Sequence, residues 1–143
     1  MKRRTFLSGV SSLALLPATG VRAAMPRFIE TTPFTPETVR DMARDLASRD
    51  FVPREEVPAE WRDLTYDQYR KIWFDTRNAI WSETDLPFEM DLFHPGLYFP
   101  RAVEVDVVRA GQANRLAFDF DLFDRTDDVP DLPVDETMGY SGL

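Results

Sequence analysis

Hydrophobic and polar side chains alternate along much of the chain from residue 88 onward, and this period of two is the period of a β-strand. Three runs share the pattern. The residues on the mainly apolar face are, for the first run, Phe88, Met90, Leu92 and His94; for the second, Val103, Val105 and Val107; and for the third, Leu116, Phe118 and Phe120. Turn signals separate the runs: a Pro-Gly pair at 95–96 and the sequence AGQAN at 110–114. Connections of this length join antiparallel strands, so the pattern predicts an antiparallel meander and a fold that is mainly β.

One stretch, residues 35–50, has a helical period instead. Its apolar positions form one stripe: Val39, Met42, Ala43, Leu46 and Ala47. Thr35 and Pro36 suit the N-cap and the first helical position. Because the polar face mixes both signs of charge, as in the pair Asp45 and Arg49, we expect this amphipathic helix near the mature N-terminus to dock on a core and not on a membrane.

A second helix start lies in the sequence LTYDQY at 64–69. Thr65 and Gln68 have the spacing of a capping box, in which each side chain bonds the backbone of the other residue. Residues 72–74, Ile-Trp-Phe, have the composition of a strand. We therefore expect about one helical turn followed directly by a short strand.

The first 23 residues have the composition of an export signal. A basic start, an apolar run at 10–16 and a small-residue end at Ala23 are typical of a signal peptide. Arg3 and Arg4, followed by Thr-Phe-Leu, resemble a twin-arginine motif; an ordinary secretory signal with a chance pair of arginines is the alternative. The sequence predicts a signal peptide at 1–23 and a mature periplasmic chain from residue 24. The apolar run is too short to span a bilayer, so we expect no stable membrane insertion.

The charge balance argues against anionic partners. Formal net charge is −8, and four of the 17 basic residues lie within the first 23 positions, which leaves 13 basic against 25 acidic residues in the rest. Such a surface repels nucleic acid and anionic lipid.

The chain has no cysteine, and the aspartates crowded into 119–131 lack the glycine and closing glutamate of a calcium-binding loop. We predict no metal site and no cofactor.

Few polar residues are candidates for catalysis. His94, the only histidine, falls on an apolar strand face beside a turn, where a backbone carbonyl can satisfy it, so we interpret it as structural. Glu89 and Asp91 share a strand face about 7 Å apart, a separation found in inverting glycosidases, but neighbours on one strand point the same way and cannot flank a sugar. No nucleophile occurs in a recognisable motif, and no catalytic residue is assigned.

Aromatic residues near loops or strand ends are better candidates for binding. They are Trp61, Trp73, Trp81 and Tyr98. Flat rings beside carboxylates can stack on the apolar faces of sugars, and plain core filling is the alternative. We select Trp81 and Tyr98 as substrate-binding residues, because each flanks a turn signal, where loops can line a cleft.

Four sequence blocks carry a family resemblance: LTYDQYRKIWF, AIWSETDLPFEMDLFHPGLYF, PRAVEVDVV and FDFDLFD. In order and spacing they resemble the osmoregulated periplasmic glucan biosynthesis proteins, members G and D, from about residue 34 to residue 143. The paired arginines near the start are similar to those of the D member. The sequence IWF departs from the family, which more often has a basic residue between the apolar ones.

The resemblance implies a fold and an activity. It implies that residues 24–143 are the N-terminal portion of a large antiparallel β-sandwich domain, incomplete at the C-terminus. The implied substrate class is β-1,2-linked glucan, and D-type members resemble endo-acting, inverting glycoside hydrolases, whose acidic residues match no position here. An inner-membrane glucan synthase is an implied partner. A non-catalytic carbohydrate-binding module and a scaffold for glucan synthesis are the alternatives.

Overall fold

This computed structural model describes residues 25–143 of the chain. They contain two small antiparallel sheets and three short helices, joined by turns and irregular segments. The first sheet has the order β1-β4-β3, and its strands are β1 (Phe28–Pro33), β3 (Asp106–Arg109) and β4 (Gln112–Leu116). The second sheet pairs β2 (Ile72–Phe74) with β5 (Phe123–Arg125). The prediction of a mainly β, antiparallel fold is confirmed, while the sandwich stays a prediction.

The helices are α1 (Pro36–Ala47), α2 (Ala59–Arg62) and α3 (Tyr66–Tyr69). Helix α1 lies within the predicted range, and its pair Asp45 and Arg49 forms at 3.0 Å. The prediction that α1 docks on a core is wrong for the described residues, because none of its side chains is buried. The backbone N–H of Phe34 donates to the carbonyl oxygen of Gly111, so the helix starts at the turn end of the first sheet, away from the core.

The capping box that opens α3 is confirmed. The N–H of Gln68 donates to the hydroxyl oxygen of Thr65, and the N–H of Thr65 donates to the side-chain oxygen of Gln68. The helix is one turn long and β2 follows within three residues, as the change in composition predicts. Strand β2 buries Ile72 and Phe74 and leaves Trp73 on its outer face.

The hairpin of β3 and β4 turns at Ala110 and Gly111, whose φ angles of 50° and 73° are those of a tight two-residue turn. The predicted turn is therefore real, but β4 begins inside the sequence that we assigned to the turn. The third alternating run is not a strand: residues 120–122 form a 3-10 turn, which the carboxylate of Asp119 caps by accepting the N–H of Asp121. Phe118 and Phe120 still pack on the core, as their common face predicts.

The first alternating run, residues 88–94, is not a continuous strand either. It makes two isolated bridges, from Met90 to Ile80 and from Phe93 to Gly142. The alternation of burial is nevertheless visible at its end, where Leu92 and His94 are buried while Asp91 and Phe93 are exposed. The second run is shifted by a few residues, since β3 starts at Asp106. Strand β1 was not predicted.

Side chains from both sheets meet in one hydrophobic core. Trp61 is fully buried there, and its indole N–H donates to the carbonyl oxygen of Pro133 over 2.7 Å. Tyr140, also buried, donates its hydroxyl to the carbonyl oxygen of Ala117 over 2.7 Å. Full burial of one large side chain contributes about 1.5–3 kcal/mol, so these two rings secure the otherwise irregular C-terminal residues.

The Pro-Gly turn packs against the backbone of Trp61. The N–H of Leu97 donates to the carbonyl oxygen of Trp61 over 3.0 Å, and Gly96 has a φ of 109°. A Cβ atom placed on Gly96 would lie 2.6 Å from that same oxygen. The turn therefore needs glycine for both its backbone angle and its close approach.

Candidate functional site

His94 is a buried structural residue, as predicted. Its Nδ1 lies 2.9 Å from the carbonyl oxygen of Pro95, and its Nε2 lies 3.2 Å from the carbonyl oxygen of Ile72. The rings of Trp61, Tyr69 and Phe123 surround it, with centroids between 4.2 and 5.9 Å away. Burial lowers the pKa of His94 below its ordinary value of 6.5, and the two carbonyls oppose that shift without reversing it. This enclosure makes His94 part of the core and supports its structural role.

The backbone and the ring of His94 together join three parts of the chain. Its carbonyl oxygen accepts the hydroxyl of Tyr69 over 3.1 Å and the hydroxyl of Ser141 over 2.9 Å. Burial raises the pKa of Tyr69, so its hydroxyl keeps its proton for this bond. Helix α3, strand β2 and the C-terminal residues are thus held together around one buried residue.

A pocket of about 420 Å³ opens beside this cluster. Helix α3, strand β2 and residues 91–94 form its walls, and its lining residues are Tyr66, Tyr69, Arg70, Ile72, Trp73, Phe74, Asp91, Leu92, Phe93, His94 and Phe123. Buried apolar side chains contribute to the lining, while three exposed aromatic residues reach solvent: Tyr66 is 61% exposed, Trp73 47% and Phe93 56%. The pocket is thus apolar inside and aromatic where it meets water.

Two charged residues complete the lining. The guanidinium of Arg70 makes a long ion pair, 3.7 Å, with the exposed carboxylate of Asp67. Asp91 forms no ion pair within residues 25–143. One donor group and one acceptor group therefore stand beside the aromatic rings.

Trp81 and Tyr98, the residues that the sequence favours for binding, lie elsewhere. Trp81 is half-buried, has a φ of 73°, and packs edge-on against Phe88 at 5.5 Å. Tyr98 is 73% exposed on the turn after Gly96. The structure brings neither into the pocket beside α3, and no aromatic contact joins the two among the described residues.

Sequence reasoning did not select Tyr66, Arg70 or Phe93. Part of the signal was present, because the capping box at Thr65 places Tyr66, Tyr69 and Arg70 at helical positions i, i+3 and i+4, on one face. In the alternation of its run, Phe93 falls on the face opposite Leu92 and His94, and its ring is exposed. What the sequence could not supply is the juxtaposition of that ring with α3.

A second concavity, of about 390 Å³, lies beside α2 and has a different character. Three of its lining residues are acidic, Glu60, Asp63 and Asp131, and none is aromatic. Within residues 25–143, no group of three or more histidine, aspartate or glutamate side chains is arranged to hold a metal ion. The aromatic pocket is thus the better candidate for an organic ligand.

Comparison with known proteins yields a consistent set of relatives. Residues 34–143 match the family model described as "Periplasmic glucan biosynthesis protein, MdoG". The chain is 38% identical over 118 residues to glucans biosynthesis protein G 1 of Shewanella oneidensis, a match that covers 82% of this chain and 22% of the relative. It is 36% identical over 144 residues to glucans biosynthesis protein G of Rhodopseudomonas palustris, covering 100% of this chain and 28% of the relative.

The matched relatives are much longer than this chain, which spans between 22% and 28% of their length. Both carry the name of the G member. Our D-like interpretation rests on Arg3 and Arg4, which lie outside the described residues together with the rest of the predicted signal peptide at 1–23. Among residues 25–143, no helix combines the length and the apolarity that crossing a membrane requires.

Proposed function

Because the chain belongs to the periplasmic glucan biosynthesis family, we propose that it is part of a periplasmic protein that binds the β-1,2-glucan backbone during glucan biosynthesis. The family match over residues 34–143 is the observation that carries this proposal. The test is calorimetric titration of the full-length protein with linear β-1,2-glucan. Saturable binding is expected, and an absence of binding heat at millimolar glucan would refute the proposal.

The full-length protein is further proposed to hydrolyse the glucan by an endo-acting, inverting mechanism. Inversion needs one carboxylic acid to protonate the leaving oxygen and one carboxylate to activate water from the opposite side. Glu89 and Asp91 are both exposed on neighbouring positions of one segment, which does not suit these two roles. We assign no catalytic residue to this chain. Proton NMR of the first product anomer, α from a β-linked substrate, tests the inverting mechanism.

A scaffold role in glucan synthesis is the second candidate, and the word "biosynthesis" in the relatives' names favours it. In this role the protein binds glucan without cleaving it and contacts the inner-membrane glucan synthase. A stand-alone carbohydrate-binding module is a related alternative. Copurification of the full-length protein with a membrane glycosyltransferase, together with glucan binding and no turnover, would favour the scaffold.

Export to the periplasm is proposed to depend on Arg3 and Arg4. Replacing both by lysine should block export through a twin-arginine pathway and leave precursor in the cytoplasm. An ordinary secretory signal tolerates the same change, because it requires only a positive start. Cell fractionation of the two forms separates these cases.

Trp81 and Tyr98 remain proposed substrate-binding residues. In the full-length protein, Tyr98→Ala or Trp81→Ala should weaken glucan binding by roughly 1–3 kcal/mol if the ring stacks on a sugar, by analogy with bases stacked on aromatic rings. Phe51→Ala is the matched control, since Phe51 is 89% exposed and lies in neither pocket. An altered melting temperature with unchanged affinity would return Trp81 to a packing role.

A further inference from the structure

Three exposed aromatic side chains line the pocket beside α3. Tyr66, Trp73 and Phe93 come from three different segments, and each keeps roughly half or more of its surface in water while lining the same concavity. Buried neighbours such as Leu92 and Phe123 close the space between them. Large apolar rings that converge on one open pocket are typical of a binding site, and the volume of about 420 Å³ lies in the range of ligand pockets.

The polar groups of the pocket fit an uncharged, hydroxyl-rich ligand. Asp91 offers carboxylate oxygens that accept hydrogen bonds, and Arg70 offers N–H donors. Asp124 lies directly opposite Trp73 across the β2–β5 ladder, so it provides another acceptor on the same outer face. A sugar ring presents the complementary chemistry, with apolar C–H faces and hydroxyl groups around its edge.

We propose that this pocket binds one glucose unit of a β-glucan chain. The rings of Trp73 and Phe93 stack on the sugar faces, while Asp91 and Arg70 hydrogen-bond its hydroxyls. The inference rests on the proposed function, glucan binding, and adds to it a site distinct from Trp81 and Tyr98. Tyr66 borders the pocket from α3 and provides further aromatic surface.

The pocket wall is built on fixed elements, which lowers the cost of binding. The hydroxyl of Tyr69 is bonded to the carbonyl oxygen of His94, and the imidazole of His94 lies between the carbonyls of Pro95 and Ile72. These contacts hold α3, β2 and residues 91–94 in one arrangement. A ligand that enters a preformed wall loses less affinity to the ordering of side chains than one that must organise its site.

The experiment is a titration of the full-length protein with linear β-1,2-glucan, with maltohexaose as the control sugar. Trp73→Ala should weaken glucan binding roughly 5- to 100-fold, the range expected for loss of a stacking ring. Asp91→Asn should weaken it about 10-fold, because a charged acceptor is replaced by the weaker, neutral oxygen of an amide. Trp73→Phe keeps a flat ring and should recover most of the affinity. Phe51→Ala, outside the pocket, should bind as the wild type does.

The outcomes separate this inference from the proposed function. If the wild type binds glucan and both Trp73→Ala and Asp91→Asn bind equally well, the pocket is not a sugar site and the inference falls alone. A lower melting temperature of Trp73→Ala with unchanged affinity has the same meaning and indicates that protein packs on the pocket. If the wild type does not bind glucan, the proposed function falls as well. Asp91 is exposed, so Asp91→Asn remains informative even where Trp73→Ala fails to fold.

Discussion

At the residue scale, His94 shows how a single imidazole can be constrained by two acceptors. A neutral ring has only one N–H, so it can donate to only one of the carbonyl oxygens of Pro95 and Ile72. Protonation would satisfy both acceptors, yet the cost of burying a charge is larger and keeps the pKa low. The folded protein therefore favours the neutral ring.

This preference makes stability depend on pH with a defined sign. The unfolded chain takes up the proton near pH 6.5, before the folded chain does, so the contribution of His94 is complete above pH 6.5 and declines as pH falls toward the lower folded pKa. We expect the free energy of unfolding to decrease between pH 7 and pH 5, and the decrease should be smaller in His94→Phe. Chemical denaturation of both forms at several pH values measures the difference.

Glu104 provides a control in a different pH range. A hydrogen bond from Arg54 lowers the pKa of this carboxylate, so its contribution is present above pH 4.5 and declines as the pH falls through the folded pKa. Glu104→Gln should lower the free energy of unfolding by a constant amount above pH 4.5 and should change its slope with pH only in that acidic range. If His94→Phe left the slope between pH 7 and pH 5 unchanged, the account of His94 would be wrong.

At the element scale, the hairpin of β3 and β4 has a residue that does not suit its turn. Ala110 has a φ of 50°, a conformation that costs an alanine about 1–2 kcal/mol and that asparagine adopts more readily. Ala110→Asn should therefore raise the free energy of unfolding by about 0.5–1 kcal/mol.

Gly111→Ala is the matched control for this turn. Gly111 has a φ of 73°, so a side chain there should lower the free energy of unfolding by about 1 kcal/mol. Urea denaturation of the two variants gives opposite signs if the turn is as described. Equal effects would contradict it.

The elements that the sequence predicts well are those set by local interactions. The starts of α1 and α3 follow from their N-cap residues, Thr35 and Thr65, and the turn before β4 follows from Gly111. Strand β1 has no such signal. Its six residues, Phe-Ile-Glu-Thr-Thr-Pro, do not alternate and are all exposed, and they pair with β4, about 80 residues away. Pairing over that distance depends on the tertiary fold, which a periodicity cannot specify.

The candidate site also has some features that the sequence predicts and others that it does not. The burial of His94 follows from its place on an apolar face, and the exposure of Phe93 follows from its place on the other face. The approach of α3 to residues 91–94 depends on the hydroxyl of Tyr69 reaching the backbone of His94, 25 positions later. Spacing along the sequence cannot specify that contact, because the contact depends on the three-dimensional fold.

At the scale of the whole molecule, much apolar surface is left uncovered. Strand β1 is an edge of the first sheet, and Phe28 and Ile29 on it are exposed. The stripe of α1 is exposed as well, through Val39, Met42 and Leu46. Open strand edges and contiguous apolar surface both promote association between chains.

We therefore predict that residues 24–143, produced alone, fold poorly, associate and do not hydrolyse glucan. Self-association should appear in size-exclusion chromatography with light scattering, and turnover should be absent because inversion needs an acid and a base that we assign to no residue here. A monomer with a cooperative thermal transition and measurable turnover would contradict both parts of this prediction.

The approach of Gly96 to the carbonyl oxygen of Trp61 has a consequence for the variation that this protein can tolerate. At a φ of 109°, and with only 2.6 Å available to a Cβ atom, no substitution at position 96 keeps the turn in place. At Gly142 the nearest atom to such a Cβ is 3.6 Å away, an ordinary contact. In a saturation library of the full-length protein sorted for folded product, position 96 should retain glycine alone, whereas position 142 should accept alanine and serine. Natural sequence variation at position 96 is therefore limited by the backbone, and a new function would have to come from substitutions at other positions.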